Sequence, residues 1–310
     1  MTYVKSDTGE RYRRFAAMEV RGHSPSYEEL ASGVAEDPEL LALIEELPWG
    51  KRQPNLLLAA VRFSGGPVLR GYPAFREWTL GHWERVRRVM LERLTQTNEP
   101  ARCATRLPQP LALIEVGASA GLCLYPDRYR YRYDDRAPLG PDGAVELSCR
   151  TTGPVPFPER LPRVVHRAGV DLNPLDVRSA DDMRWLETLV WPEQRARLER
   201  LRAAVPVARA EPPRLVTGDL NARVRELVAA APAGATTVVF HSAVLACLPP
   251  EGREEFAATM RELPVHWVSN EATGAPGAPG EELRFTLCLD ERPVARTGPH
   301  GQTLDWLDGA

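Results

Sequence analysis

The residues able to do chemistry in this 310-residue chain are spread along its latter part, each after a short apolar run. Glu115 lies in Leu111-Ala-Leu-Ile-Glu-Val116, just before Gly117-Ala-Ser-Ala-Gly121. Asp171 ends Val164–Asp171, and Asp219 follows Arg214–Thr217 and Gly218. His241-Ser242 follow Thr236–Phe240, and Asn270-Glu271 follow Val265–Ser269. Carboxylates accept hydrogen bonds from hydroxyls and amines. An imidazole titrates near neutrality and can take a proton from a nucleophile. Glycine turns let a ligand approach bare backbone. The set points to a polar small molecule held by carboxylates, with His241 as candidate general base and Glu271 as a second.

The elements that must position these residues begin with the glycine turn. Leu111, Leu113, Ile114 and Val116 suit a strand buried on both faces of a parallel sheet. A helix starting after Gly121 would offer free N–H groups and the positive end of its dipole, and Pro126 keeps that helix short or kinked. Glu115, Gly117, Ser119 and Gly121 then read as a nucleotide-type binding turn. The pentapeptide also spells G-x-S-x-G, the nucleophile elbow of α/β-hydrolases, with Ser119 as nucleophile and His300 as a partner. That elbow follows several earlier strands, whereas the preceding residues here read as helices. A tight turn without a ligand is a third reading. Gly117-x-x-x-Gly121 lacks the G-x-G-x-x-G spacing of NAD-binding turns.

Residues 1–108 predict an all-helical N-terminal region. Tyr12, Phe15, Ala16 and Glu19 fit one helix. Ser26-Tyr-Glu-Glu29 resembles a capping box just after Ser24-Pro25, and Asp37-Pro38 opens a helix striped by Leu40, Leu41, Leu43, Ile44 and Leu47. Asn55–Phe63 is apolar enough to be buried, and Ala74–Leu94 reads as the longest helix. Residues 109–310 alternate strand and helix, with helices expected at Asp181–Val190, Pro192–Val205, Asn221–Ala230 and Glu251–Leu263. The pattern predicts a Rossmann-like α/β domain, a doubly wound, mostly parallel sheet with helices on both faces. An insertion at about 129–162 pairs Tyr129–Tyr133 with Ala144–Cys149 as a hairpin. A Gly/Pro/Ala loop, Ala272–Gly280, precedes a strand over Leu283–Asp290, and Pro293–Arg296 with Thr303–Leu307 closes the sheet as an antiparallel pair. Strand carboxyl ends line the crevice of such a sheet, so the polar residues above are expected on one rim.

Over about Leu111–Leu307 this pattern resembles class I S-adenosylmethionine-dependent methyltransferases. The resemblance implies that Glu115-x-Gly117-x-x-x-Gly121 cradles the methionine part of the cofactor, Asp171 accepts both ribose hydroxyls, and Asp219 meets the adenine amine. Ser119 stands where that family carries its middle glycine, and the fourth strand ends in His241-Ser242-Ala243 without an Asp/Asn-Pro-Pro-aromatic motif. A resemblance running through the whole chain is to the bacterial domain-of-unknown-function family 2332. It is carried by Ser24-Pro-Ser-Tyr27, Asp37-Pro-Glu-Leu-Leu41, Pro54-Asn-Leu-Leu57, Gly117-Ala-Ser-Ala-Gly121 with Asp127-Arg-Tyr-Arg-Tyr131, Gly169-Val-Asp-Leu-Asn-Pro174, Phe240-His-Ser-Ala-Val244 and Trp267-Val-Ser-Asn-Glu271. It implies that the helical and α/β parts form one unit.

Composition bounds the alternatives. The chain is 43% hydrophobic and 26% charged, with a net charge of −3, which leaves no electrostatic footprint for nucleic acid. The Tyr129–Tyr133 alternation of aromatic and arginine residues reads as an exposed strand with a packed tyrosine face. No apolar run is long enough to span a membrane, and the N-terminal stretch has no apolar core of a signal peptide. Cys103, Cys123, Cys149, Cys247 and Cys288 are scattered without C-x-x-C, arguing against a disulfide framework or a zinc site. The expectation is a cytoplasmic enzyme that binds S-adenosylmethionine and methylates a small molecule, without a metal. The rival is a non-catalytic Rossmann-like module binding a nucleotide or a protein partner.

Overall fold

The computed structural model describes residues 7–95, 107–272 and 284–309. The described residues fall into two compact units, one of residues 7–95 and 180–199, the other of residues 107–179, 200–272 and 284–309.

The first unit is helical. α1 (Thr8–Arg14) runs into a π-helical stretch, Phe15–Val20, and is followed by α2 (Pro25–Ala35), α3 (Pro38–Glu45), α4 (Pro54–Phe63), α5 (Gly71–Gly81) and α6 (Trp83–Glu92). α7 (Ala180–Leu189) joins them, and α8 (Arg195–Ala210) begins here and continues from Arg200 in the second unit. Ser24, rather than Ser26, caps α2. Its Oγ accepts from Tyr27 N–H, and Pro25 takes the first helical position, where a missing N–H costs nothing. The expected single helix over Ala74–Leu94 breaks at His82 (φ −127°, ψ 22°). Gly81 offers no side chain to hold the turn there, and the His82 ring stacks on Trp78 at 4.2 Å. Tyr12, Tyr27, Phe75 and Trp185 are fully buried in this unit. No described helix is long and apolar enough to cross a membrane.

The second unit is built on one sheet of β1 (Leu111–Val116), β2 (Arg130–Tyr133), β3 (Glu146–Thr152), β4 (Val164–Asp171), β5 (Arg214–Thr217), β6 (Thr236–Ser242), β7 (His266–Ala272), β8 (Phe285–Leu289), β9 (Arg292–Thr297) and β10 (Thr303–Trp306). The spatial order is β2-β3-β10-β9-β8-β7-β6-β1-β4-β5. From β1 the chain steps through β4 to β5, then returns to the other side of β1 for β6 and β7, all parallel. β8 and β9 follow antiparallel, and β9 and β10 form the expected closing antiparallel pair. The fold is therefore mixed α/β with a large, mostly parallel sheet. The loop expected over Ala272–Gly280 lies, beyond Ala272, outside the described residues.

The predicted hairpin at 129–162 does not form. β2 and β3 pair, but in parallel. The connection turns at Asp134, returns antiparallel along the free edge of β2 through a Tyr131–Leu139 bridge, and crosses to enter β3 on the other edge. Twelve connecting residues, 134–145, are enough for that crossing, and the bridge protects an edge that would otherwise stay open.

Strand parity divides the sheet into two faces. Ile114, Val116, Ala168, Val170, Val239 and Trp267 pack on α9 (Leu220–Ala229) and α10 (Pro250–Glu262) through Leu220, Val224, Leu227, Phe256 and Met260. The opposite face carries Leu113, Glu115, Arg167, Gly169, Asp171, Phe240, Ser242 and Asn270, because in-register neighbours point the same way. There Arg167, 8% exposed, donates to Asp127 Oδ2 and Leu124 O, both at 2.7 Å, and lies over the Tyr125 ring.

Asp37 generates one prediction. Its Oδ1 caps α3 through Glu39 and Leu40 N–H, and its Oδ2 accepts from Tyr72 and Arg76. Burial pushes its carboxyl up, but the Leu40, Tyr72 and Arg76 hydrogen bonds outweigh it and hold the group below the ordinary aspartate value. Its contribution is thus complete above the unfolded pKa and is lost as pH falls through the lower folded one. Asp37→Ala should cost about 2 kcal/mol at neutral pH in urea unfolding, with the deficit shrinking in acid.

Candidate functional site

The rim where β1, β4, β5, β6 and β7 end carries the residues singled out by sequence, but parity separates them. Asp171, Ser242 and Asn270 stand on one face. His241 and Glu271 stand on the other, toward α9 and α10.

The glycine turn is stitched to the end of β4. Gly117 and Ala118 N–H both donate to Val170 O (2.8 and 3.1 Å), Ser119 N–H donates to Asp171 Oδ2 (2.8 Å), and Gly121 N–H donates to Ala118 O (2.7 Å). Gly117, Ser119 and Gly121 all adopt positive φ (72°, 49° and 70°). Glycine is required at 117 for another reason too. A Cβ there would lie 2.4 Å from Val244 Cγ2, so the chain's own side chain occupies the approach that a ligand was expected to use. The expected helix after Gly121 is only a single 3-10 turn, Leu122–Leu124. It is too short to build a helix dipole, and the amides of Gly117, Ala118, Ser119 and Gly121 are committed to protein acceptors rather than to a phosphate.

Glu115 lies beneath the turn rather than on the rim. It is 5% exposed, and its Oε2 has no hydrogen-bond partner. Burial pushes its carboxyl well above the ordinary range; a Cys123 hydrogen bond opposes this and the Asp171 charge adds to it. Glu115 is thus held toward its neutral form by burial. Ser119 is 1% exposed with an unpartnered Oγ, so no histidine activates it, and the hydrolase elbow has neither base nor access. Asp171, half-buried, is aimed at the turn by two backbone donors, Ser119 N–H and Asn173 N–H (both 2.8 Å). Asp219 is exposed and caps α9, its Oδ1 accepting from Asn221 and Ala222 N–H at 2.9 and 3.3 Å.

His241 is 2% exposed. Its Nε2 lies 2.9 Å from Trp267 Nε1 and its Nδ1 lies 2.7 Å from Glu271 Oε1. An indole N–H only donates, so Nε2 accepts and the ring proton sits on Nδ1. Both nitrogens are engaged, and the imidazole has no lone pair for a substrate proton. Glu271 Oε1 also accepts Val244 and Leu245 N–H, at 2.9 and 3.1 Å. Burial works to raise the Glu271 carboxyl, but the hydrogen bonds from His241 and these two amides hold it below the ordinary glutamate value. The pair expected to be catalytic instead anchors the segment that places Val244 over Gly117. Sequence reasoning missed Trp267 and Val244. Period-two spacing does put Trp267 and Glu271 on one face, but nothing in the sequence says that His241 is their neighbour.

Ser242, Asn270 and Thr297 form a polar row at the ends of β6, β7 and β9. Asn270 Nδ2 donates to Ser242 Oγ at 3.0 Å, and Thr297 Oγ1 donates to Asn270 Oδ1 at 2.8 Å. Leu172, beside Asp171, is 66% exposed. Among the described residues no group of three or more His, Cys, Asp or Glu side chains is placed to hold a metal ion.

The chain matches the family model described as an uncharacterized protein conserved in bacteria (DUF2332) over residues 9–65 and 68–306, and it belongs to that family. No curated protein matches it.

Two substitutions test the site's internal wiring. Glu271→Ala, which strands three donors, should destabilise the protein more than Trp267→Phe, which leaves only His241 Nε2 unbonded at about 1–3 kcal/mol, in urea unfolding. Glu115 has a folded pKa above its unfolded one. Its unfolded form therefore ionises first, and stability falls as pH rises between the two values. Over that window Glu115→Gln should gain on the native protein by about 1.4 kcal/mol per pH unit, in parallel unfolding series.

Proposed function

We propose that this DUF2332 family member binds S-adenosylmethionine at the rim of its α/β unit and transfers the methyl group to a small molecule. The observation that carries the reading is the Asp171–Ser119 hydrogen bond, which ties the acid ending the second parallel strand to the glycine turn ending the first. The order β5-β4-β1-β6-β7, with the winding reversing between β1 and β6, supports a Rossmann-like reading, since doubly wound sheets take ligands at such a reversal.

The residues present suit the adenosine half of such a cofactor. Asp171, fixed by two amides, is a preorganised acceptor for ribose hydroxyls. Asp219 Oδ2 carries no hydrogen bond among the described residues and can accept an adenine amine, while Leu172 offers an apolar edge. Glu115, Gly117, Ser119 and Gly121 take no direct part, since Val244 lies on Gly117 and Glu115 and Ser119 are buried. A dinucleotide fits less well, because its diphosphate would need amides that the turn has already spent. Bound there, S-adenosylmethionine supplies an electrophilic methyl group on a sulfonium. This chain's part is to orient donor and acceptor in line and to exclude water.

His241 and Glu271 act as positioning residues for the Val244 segment. The nucleophile must then be one that needs no protein base at the rim. That same occupied pair favours a second reading, a Rossmann-like module that binds a nucleotide without catalysis. Calorimetry with S-adenosylhomocysteine tests the cofactor. Saturable binding to the native chain is expected, lost in Asp171→Ala and weakened about fivefold in Asp219→Asn, the factor of one hydrogen bond. No binding to the native chain ends the cofactor reading. Binding together with a retained ligand in mass spectrometry, but no transfer of labelled methyl to any acceptor, would favour the non-catalytic module.

A further inference from the structure

We infer that the ends of β6, β7 and β9 form a recognition point for an oxygen acceptor on an apolar small molecule, with the Ser242 hydroxyl as donor. This names the substrate class for the rim and builds on the reading of that rim as a ligand site.

Hydrogen-bond direction sets the polarity of this row. Thr297, 7% exposed, donates to Asn270 Oδ1 at 2.8 Å. An amide oxygen only accepts and an amide nitrogen only donates. The Asn270 Nδ2 therefore gives an N–H to Ser242 Oγ at 3.0 Å. Ser242 receives at its oxygen, and its own hydroxyl hydrogen has no acceptor among the described residues. The relay is directed outward and ends in a donor on an exposed side chain. The backbone keeps the row in place, since Ser242 and Asn270 are register partners and Ala243 N–H donates to Asn270 O at 3.0 Å.

The surroundings specify the rest of the ligand. Phe240 stands two residues before Ser242 on the same face, with its register partner Val268 beside it and Leu287 paired to Asn270. All three are half-buried. An apolar floor below a single oriented donor selects a carbonyl-type oxygen on an apolar body. A protonated amine has no lone pair to accept the Ser242 hydroxyl hydrogen, which it would leave unpaired. Glu271 and His241, on the other face, do not alter this polarity.

The probe is benzamide, with benzylamine as the matched compound lacking the acceptor. Both are titrated against the full chain by saturation-transfer-difference NMR. Saturable benzamide binding is expected, shifting the Asn270 side-chain amide resonance. Ser242→Ala should weaken it about fivefold and Thr297→Val about threefold, the loss of one neutral hydrogen bond or of its orientation, with melting temperature unchanged for the exposed Ser242. Benzylamine should bind no better to the native chain than to Ser242→Ala. Absence of saturable benzamide binding, or equal affinity in Ser242→Ala, overturns the inference. S-adenosylhomocysteine calorimetry on the same samples reports separately on the cofactor reading, so either can fail without the other.

Discussion

Parallel register is the constraint on which everything at the rim depends. Neighbouring strands run in step, so the face of every side chain is decided by parity along β1, β4, β6 and β7. One residue separates His241 from Ser242 and Asn270 from Glu271. That single step sends His241 and Glu271 into the interior beside Phe256 and Trp267, and leaves Ser242 and Asn270 facing outward. A polar residue at a strand end is therefore not yet a rim residue.

The interior half of this division is a closed polar network. Trp267 donates to His241, His241 donates to Glu271, and Glu271 gathers the Val244 and Leu245 amides on the same oxygen. A buried network of this kind holds one geometry when every member is satisfied and is costly when one is not. What it holds is the segment bearing Val244, which packs on Gly117. The glycine at the most ligand-like position of the sequence is thus needed for contact between two parts of the same protein. The exterior half differs in kind. Asp171 accepts from backbone donors, Ser242 from a side-chain relay, and both stand on the face away from α9 and α10.

The turn departs from a nucleotide cradle for a related reason. With only the 3-10 turn at Leu122–Leu124 after Gly121, the face of β1 and β4 is covered by Tyr125, Tyr129 and the Arg167–Asp127 pair. Glu115 then sits in a buried layer, which pushes its carboxyl well above the ordinary range.

Local signals carried far in this chain. Asp37-Pro38 and Ser24-Pro25 announce their helices, because a side-chain cap and a proline at the first position act within one turn. Apolar runs ending in Gly117, Asp171, Asp219, His241 and Glu271 mark the core strands, since burial on both faces leaves a continuous apolar record. Those features were legible because their causes lie within a few residues. The parallel pairing of β2 with β3, the bond between Asp171 and the Ser119 amide, Trp267 on His241, and Thr297 orienting Asn270 were not. Each joins residues far apart in sequence, and the partner is set by strand order and register. Sequence alone determined which residues are polar at strand ends. Only the tertiary structure decided which of them face one another and which are spent holding the protein together.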